Sequence, residues 1–197
     1  MEQDRTIDLF DRNPMPPRAS NSLGSMPAVA RMRTVDERLV RAPVERVFEL
    51  AADVERWPDL LPHYRYVRFR ERMHGTAIVE MSANRPFGPF NWPTWWASLM
   101  EVQHPANGAP PAIRFRHVEG ITTRMEVQWT FQRVTEGTHV TVLHLWNGPK
   151  WPVIGDIAAR ALIGPVFVHG IASRTLEGLA RAAEQGQTSA RAFPREK

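Results

Sequence analysis

The chain predicts an α+β fold: one curved antiparallel sheet of seven strands wrapped around a single long C-terminal helix, with two short helical turns after the first strand. Three observations carry this. A helical pattern opens the ordered part (RAPVERVFELAADVERWPDLLPHY), a second closes it (IGPVFVHGIASRTLEGLARAAEQ), and almost everything between alternates like strand. In the opening segment Pro43 suits the first helical position, where its missing N–H costs nothing, and Val44, Val47, Phe48 and Ala51 share one face. Asp53 then caps a second short turn that stops at Trp57 and Pro58.

Turn signals cut the middle at His74-Gly75, 84–93, 105–111, Glu119-Gly120 and Glu136-Gly137. The clearest strand is TRMEVQWTFQRV, where Met125, Val127, Trp129 and Phe131 share one face and Arg124, Glu126, Gln128, Thr130 and Gln132 the other. With 34–41, 64–73, 76–83, 94–102, 113–119 and 138–146 it makes seven. The last helix is expected after Gly164, with Pro165 at its first position and Val168, Ile171, Thr175, Leu179 and Ala182 turned inward. Arg174, Glu177, Arg181 and Glu184 pair on its outside. Gly170 marks a close approach to the sheet or space for a ligand, and His169 beside the stripe reads as a capping or core residue. Residues 152–162 form a separate amphipathic turn that covers an open end of the grip.

The stretch from Ala42 to Pro62 and the segment GPVFVHGIASRTLEGL resemble the START-like (SRPBCC) superfamily, which includes polyketide cyclases and dehydrases, coenzyme-Q-type quinone-binding proteins and lipid-transport domains. The likeness spans roughly Thr34 to Gln185. It implies the helix-grip fold and a hydrophobic ligand cavity between sheet and helix more strongly than any one reaction.

With 197 residues, 43% of them hydrophobic, the chain can bury one sizeable core but not two. It divides into a mobile N-terminal arm (1–33) rich in Pro, Ser and Asn, a ligand-binding domain (34–186) and a frayed tail (187–197). Within the arm, Ile7, Leu9 and Phe10 read as an untethered tail or a short docking motif. The absence of cysteine excludes disulfides, thiolate nucleophiles and cysteine metal sites. The acidic start MEQDRTIDLFDR is not a signal peptide and no stretch is free of charge for a membrane span, so a cytoplasmic location is expected. A net charge of +4, carried almost wholly by arginine, does not by itself indicate nucleic acid.

Alternation indicates which polar side chains face the concave side. His117 shares parity with Ile113 and Phe115, and His144 with Val140, Val142 and Trp146. Each is either a buried neutral histidine satisfied by a neighbour or a ligand-facing group. Arg65 has the parity of Val67 and Phe69, with Glu71 further along to neutralise it, and Ser98 that of Trp96 and Met100, provided no bulge intervenes. Trp96, Trp129 and Trp146 have inward parity and Trp57 ends the helical corner, so these rings either wall a cavity or fill a core. Phe87, Phe90 and Trp92 sit among prolines and Gly88 in RPFGPFNWPTWW, a stiff apolar connection read as a lid over the pocket, with packing against the sheet end or contact with a membrane surface as alternatives.

Arg68, Arg70 and Arg72 on one strand and Arg114 and Arg116 on another occupy the opposite face. They lack a stacking platform and alternate with Glu101, Glu119 and Glu126, so a solvated mixed-charge face is expected and no nucleic-acid partner. There is no phosphate loop, GxSxG or HExxH, and His139 and His144, five apart on a strand, face opposite sides; neither a metal nor a cofactor is expected. The composite expectation is a carrier or sensor of a hydrophobic small molecule (a quinone, isoprenoid, lipid or polycyclic compound) in a pocket large enough to hold it. The resemblance offers a polyketide aromatase, cyclase or dehydratase as the alternative, with Arg65, His117 and His144 as catalytic candidates, and a protein-interaction module is a third reading.

Overall fold

The computed structural model describes residues 22–87, 90–148 and 169–191. The expected turn at 152–162 and the start of the last helix at Pro165 lie outside these residues. Seven strands form one antiparallel sheet: β1 Met32–Val40, β2 Tyr64–Met73, β3 Thr76–Phe87, β4 Phe90–Gln103, β5 Ala112–Gly120, β6 Glu126–Val134 and β7 Gly137–Trp146. Their order is β1-β7-β6-β5-β4-β3-β2, an antiparallel meander from β2 to β7 that β1 joins alongside β7. This is the helix-grip arrangement the pattern predicts.

Helix α1 (Val44–Ala52) buries Val44, Val47, Phe48 and Ala51. A 3₁₀ turn over Val54–Arg56 follows, and α2 (Trp57–Leu60) carries the helical path past Trp57 and Pro58, where a stop was expected. Proline is tolerated there because the first N–H groups of a helix have no internal acceptor. The C-terminal helix α3 (His169–Arg191) buries Ala172, Thr175, Leu176, Leu179, Ala180 and Ala183. It thus turns Ala183 inward in place of Ala182 and runs five residues beyond the expected domain end at 186. Arg46 on α1 donates to the carbonyls of Ala182 and Ala183, and the Arg41 N–H donates to Glu184, which ties α3 to α1. Of the two alternatives at Gly170, the close approach is not found, since a Cβ there would meet no atom of the described residues within 4 Å; a close approach occurs at Gly178, where a Cβ would lie 2.2 Å from Leu61 Cδ2.

Three β-bulges reshape the alternation. Arg65 is the extra residue between the pairs Tyr64↔Ala83 and Tyr66↔Ser82, and Arg70 between Phe69↔Val79 and Glu71↔Ile78. Val118 is the third, between Ala97↔Glu119 and Ser98↔His117. The segment read as a connection at 84–93 is paired throughout, from Asn84↔Pro93 to Phe87↔Phe90. There β3 has left β2, whose pairing ends at Tyr64↔Ala83, and β4 has not reached β5, which it meets at Trp96↔Gly120. A two-stranded ribbon whose outer edges pair with neither β2 nor β5 has room for prolines that lack a donor.

The arm is not free over its whole expected length. Leu23 is buried, its carbonyl accepts from Arg116 Nη2 at 2.7 Å, the Gly24 carbonyl accepts from Arg114, and the Arg31 N–H donates to Asn147 Oδ1 at 3.0 Å. These contacts fasten Leu23 and Gly24 to the outer face of β5 and Arg31 just past the end of β7. No helix among the described residues is long and apolar enough to cross a membrane.

Candidate functional site

Between the concave face of the sheet and α3 lies a cavity walled by Trp57, Tyr64, Trp96, Phe115 and Trp129, with Met81, Met125, Val127, Ile171 and Ala172 filling the gaps. Its polar groups are His117, His144, Thr122 and Thr175 together with the Tyr64 hydroxyl. The rings touch in sequence. Trp129 lies 5.9 Å from Trp57, Trp57 5.2 Å from Tyr64, Tyr64 6.2 Å from Trp96, and Trp96 stacks on His117 at 6.0 Å and 16°. Each comes from a different element, so the wall depends on the whole fold.

The enclosed space is about 70 Å³. At ~30 Å³ per water molecule that is room for about two, less than the expected pocket needs. A larger ligand must displace part of the wall, and Met81 and Met125, unbranched and polarizable, are the side chains best able to yield.

His117 accepts or donates at Nδ1 to Thr122 Oγ1 at 2.7 Å, which fixes the ring flat against Trp96. His144 is buried, and loss of water, reinforced by the neighbouring His169, holds its pKa down to about 3, so it is neutral at physiological pH. Its Nδ1 has no hydrogen-bond partner among the described residues. Trp57 is held by its indole N–H, which donates to the Leu50 carbonyl at 3.3 Å.

Opposite these, His63 Nε2 lies 3.1 Å from Thr175 Oγ1, which is 3.3 Å from the Tyr64 hydroxyl. His63 also lines an outer cleft of about 400 Å³ with Pro62, Asn84, Arg174, Glu177 and Arg181, so it stands between that cleft and the cavity. Burial and then Arg174 lower its pKa to about 4. Sequence reasoning missed His63 and Tyr64 because they stand at the junction of a helical turn and a strand, where neither period governs direction.

Three expected site residues are not in the cavity lining. Arg65, at the bulge, is exposed and reaches Ser82 Oγ at 3.4 Å on the outer face, so it does not enter the cavity. The second bulge on β2, at Arg70, places Glu71 outward, paired with Ile78. Trp146 faces inward but is a core residue outside the cavity lining, with its indole N–H donating to the Thr123 carbonyl at 3.0 Å. Ser98 also faces inward, fully buried beneath the lining, and its hydroxyl has no partner among the described residues. The side chains of Phe87, Phe90 and Trp92 lie outside the described residues; their backbone belongs to the paired ribbon. Among the described residues no group of three His, Cys, Asp or Glu side chains could hold a metal ion.

The family model described as polyketide cyclase / dehydrase and lipid transport matches residues 40–166, and the chain belongs to that family. A protein of Streptomyces cyaneus provisionally named a polyketide cyclase is 26% identical over 108 residues, 54% of this chain and 67% of that one. Among solved structures, a protein of Thermus thermophilus superposes with a TM-score of 0.63 at 23% identity, covering 78% of this chain and 98% of its own. The Zhui aromatase/cyclase of Streptomyces sp. R1128 gives 0.60 at 20%, with 78% and 93% covered. The STAR-related lipid transfer protein of Xanthomonas axonopodis gives 0.56 at 15%, with 81% and 90% covered. At these identities the superpositions establish the fold.

Proposed function

We propose that the protein binds a hydrophobic small molecule of flat, ring-containing shape between the sheet and α3, and carries or senses it. The observation that supports this is the continuous run of aromatic rings from Trp129 through Trp57 and Tyr64 to Trp96, facing α3 and interrupted by few polar groups. Family membership points the same way. Organic extraction of the freshly purified protein, followed by mass spectrometry, should release a stoichiometric apolar compound. Finding none, together with no saturable change in cavity tryptophan fluorescence on titration with quinones, isoprenoids, acyl chains and polycyclic aromatics, would reject the proposal and favour a protein-interaction module.

A second reading, cyclisation or dehydration of a poly-ketone chain, is supported by the placement of two histidines in the lining, one of them neutral and unpartnered at Nδ1 among the described residues. Arg65 drops out of the catalytic set because it faces away. If the cavity is catalytic, His117→Ala and His144→Ala should each lower turnover of a poly-ketone analogue by about a hundredfold with affinity nearly unchanged. A carrier would show changes in affinity alone.

A further inference from the structure

The inner face of β1 holds polar groups that the aromatic cavity does not use. Partners across an antiparallel ladder share a face, so the pairs Thr34↔His144 and Asp36↔Val142 turn Thr34 and Asp36 to the same side as His144. Asp36 is buried, and its Oδ1 lies 2.5 Å from Nδ1 of His169 at the start of α3. Its second oxygen, Oδ2, has no partner among the described residues, and neither do Thr34 Oγ1 and His144 Nδ1. Three buried polar atoms are thus unanswered in one corner where a strand edge, its neighbour and a helix start converge. A buried polar atom left unmatched costs about 1–3 kcal/mol, so three together indicate a place kept for something else.

We propose that this corner is a polar subsite of the cavity that receives a phenolic or enolic hydroxyl of the bound molecule; the inference rests on the binding reading above. The chemistry selects the group. A carboxylate oxygen only accepts, a threonine hydroxyl can donate, and a neutral imidazole nitrogen does one or the other; a hydroxyl, with one proton and two lone pairs, matches all three. An anionic head group would meet the Asp36 carboxylate and is excluded. Residues directly opposite on a ladder stand about 4.5–5.5 Å apart at Cβ and diagonal ones about 7–8 Å, so one oxygen between Thr34, His144 and Asp36 is within reach of all three side chains. His144 also lines the aromatic cavity, as do Ile171 and Ala172 just beyond His169, so the corner borders the apolar wall through these residues. Asp36, gripped at one oxygen by His169, is held in place and presents the other.

Phenol and toluene differ only in a hydroxyl replacing a methyl group, and their binding can be followed by the indole N–H signals of Trp57, Trp96 and Trp129. An apolar pocket prefers toluene, because phenol must leave water without compensation. The subsite reverses this, with phenol binding about tenfold tighter. Thr34→Val and Asp36→Asn, both near-isosteric, should each weaken phenol five- to tenfold and leave toluene unchanged, which also shows that the variants fold. Equal affinities, a preference for toluene, or a preference for phenol that survives both substitutions would overturn the subsite while leaving the cavity reading intact. Binding of neither probe would overturn both.

Discussion

The two faces of one sheet answer their buried polar groups differently, the outer one chiefly by charge pairing. On the outer face the buried carboxylates among the described residues meet opposite charges. Glu80, nearly inaccessible, accepts from Tyr66 at 2.7 Å, Arg68 at 2.8 Å and Arg70 at 2.5 Å, and Arg70 also reaches Glu119 at 2.8 Å. Burial alone would raise its pKa, but these hydrogen bonds outweigh that and hold it below the usual carboxylate range. Glu126 is bracketed by Arg116 and, at 3.5 Å, by Arg114. Within the Arg114–Glu126 pair, Arg114 Nε and Nη2 and Glu126 Oε2 make no hydrogen bond but stand beside an opposite charge, whereas on the inner face Thr34, Ser98 and His144, and one oxygen of Asp36, each keep a buried polar atom unmatched among the described residues. The arginines of the outer stripe therefore pair with the chain's own carboxylates, whereas the unmatched atoms of the concave side are where a ligand would make a difference.

The contrast can be broken most forcefully at Glu126. Replacing it by alanine leaves Arg114, only 5% exposed at its side chain, without its counter-charge. Destabilisation of about 3–5 kcal/mol in urea unfolding is expected, as for other severed buried pairs. A loss under about 1 kcal/mol would mean that the outer network is decorative.

Acid should act next, and through the inner face. His144 titrates at about 3 in the folded protein against 6.5 as the ordinary value, so the unfolded chain binds the proton first as pH falls. Its contribution is complete above pH 6.5 and declines progressively below it, by about 2–3 kcal/mol between pH 7 and 4.5 at ~1.4 kcal/mol per unit. His63, at about 4, adds a loss of the same sign across that same window. Denaturant midpoints measured from pH 7 to 4.5 should fall, and His144→Leu should flatten the curve; an unchanged slope in that variant would show that the burial of His144 is not the cause.

The smallest effects sharpen the comparison. Ser98→Ala removes a fully buried hydroxyl that has no partner among the described residues and should leave stability unchanged or raise it by up to about 1 kcal/mol. Arg65→Ala, at an exposed bulge, should shift stability by less than about 0.5 kcal/mol and leave ligand affinity untouched. A clear loss of affinity in that variant would return Arg65 to the cavity.

Strand periodicity made the sheet legible because most strands have one buried face, and it put His117, His144, Trp96 and Trp129 on the correct side. It failed at Arg65 and Glu71 because a bulge is one extra residue with no fixed sequence mark, and every parity downstream inverts. The ribbon at 84–93 read as a loop because its prolines signal a break, yet pairing there needs donors on one flank only. Thr34 and Asp36 escaped notice for a different reason. On an edge strand with Arg38 exposed on the inward side, a polar residue at an inward position looks like solvent-facing polarity. The parity of Met32, Thr34, Asp36 and Val40 was available and would have identified it.

The docking of Leu23 and Gly24 on Arg116 and Arg114 separates two lengths that are easily confused. The stretch by which ancestry is recognised runs from 40 to 166, yet the contacts of the folded body reach back to Leu23 and its last helix runs forward to Arg191. A fragment trimmed to the recognisable stretch loses β1 and α3, and even one begun at residue 34 strips two guanidinium groups of backbone acceptors. Heritable signature and packed body are thus different objects in this protein, and an N-terminal truncation that keeps these contacts begins no later than Ser22.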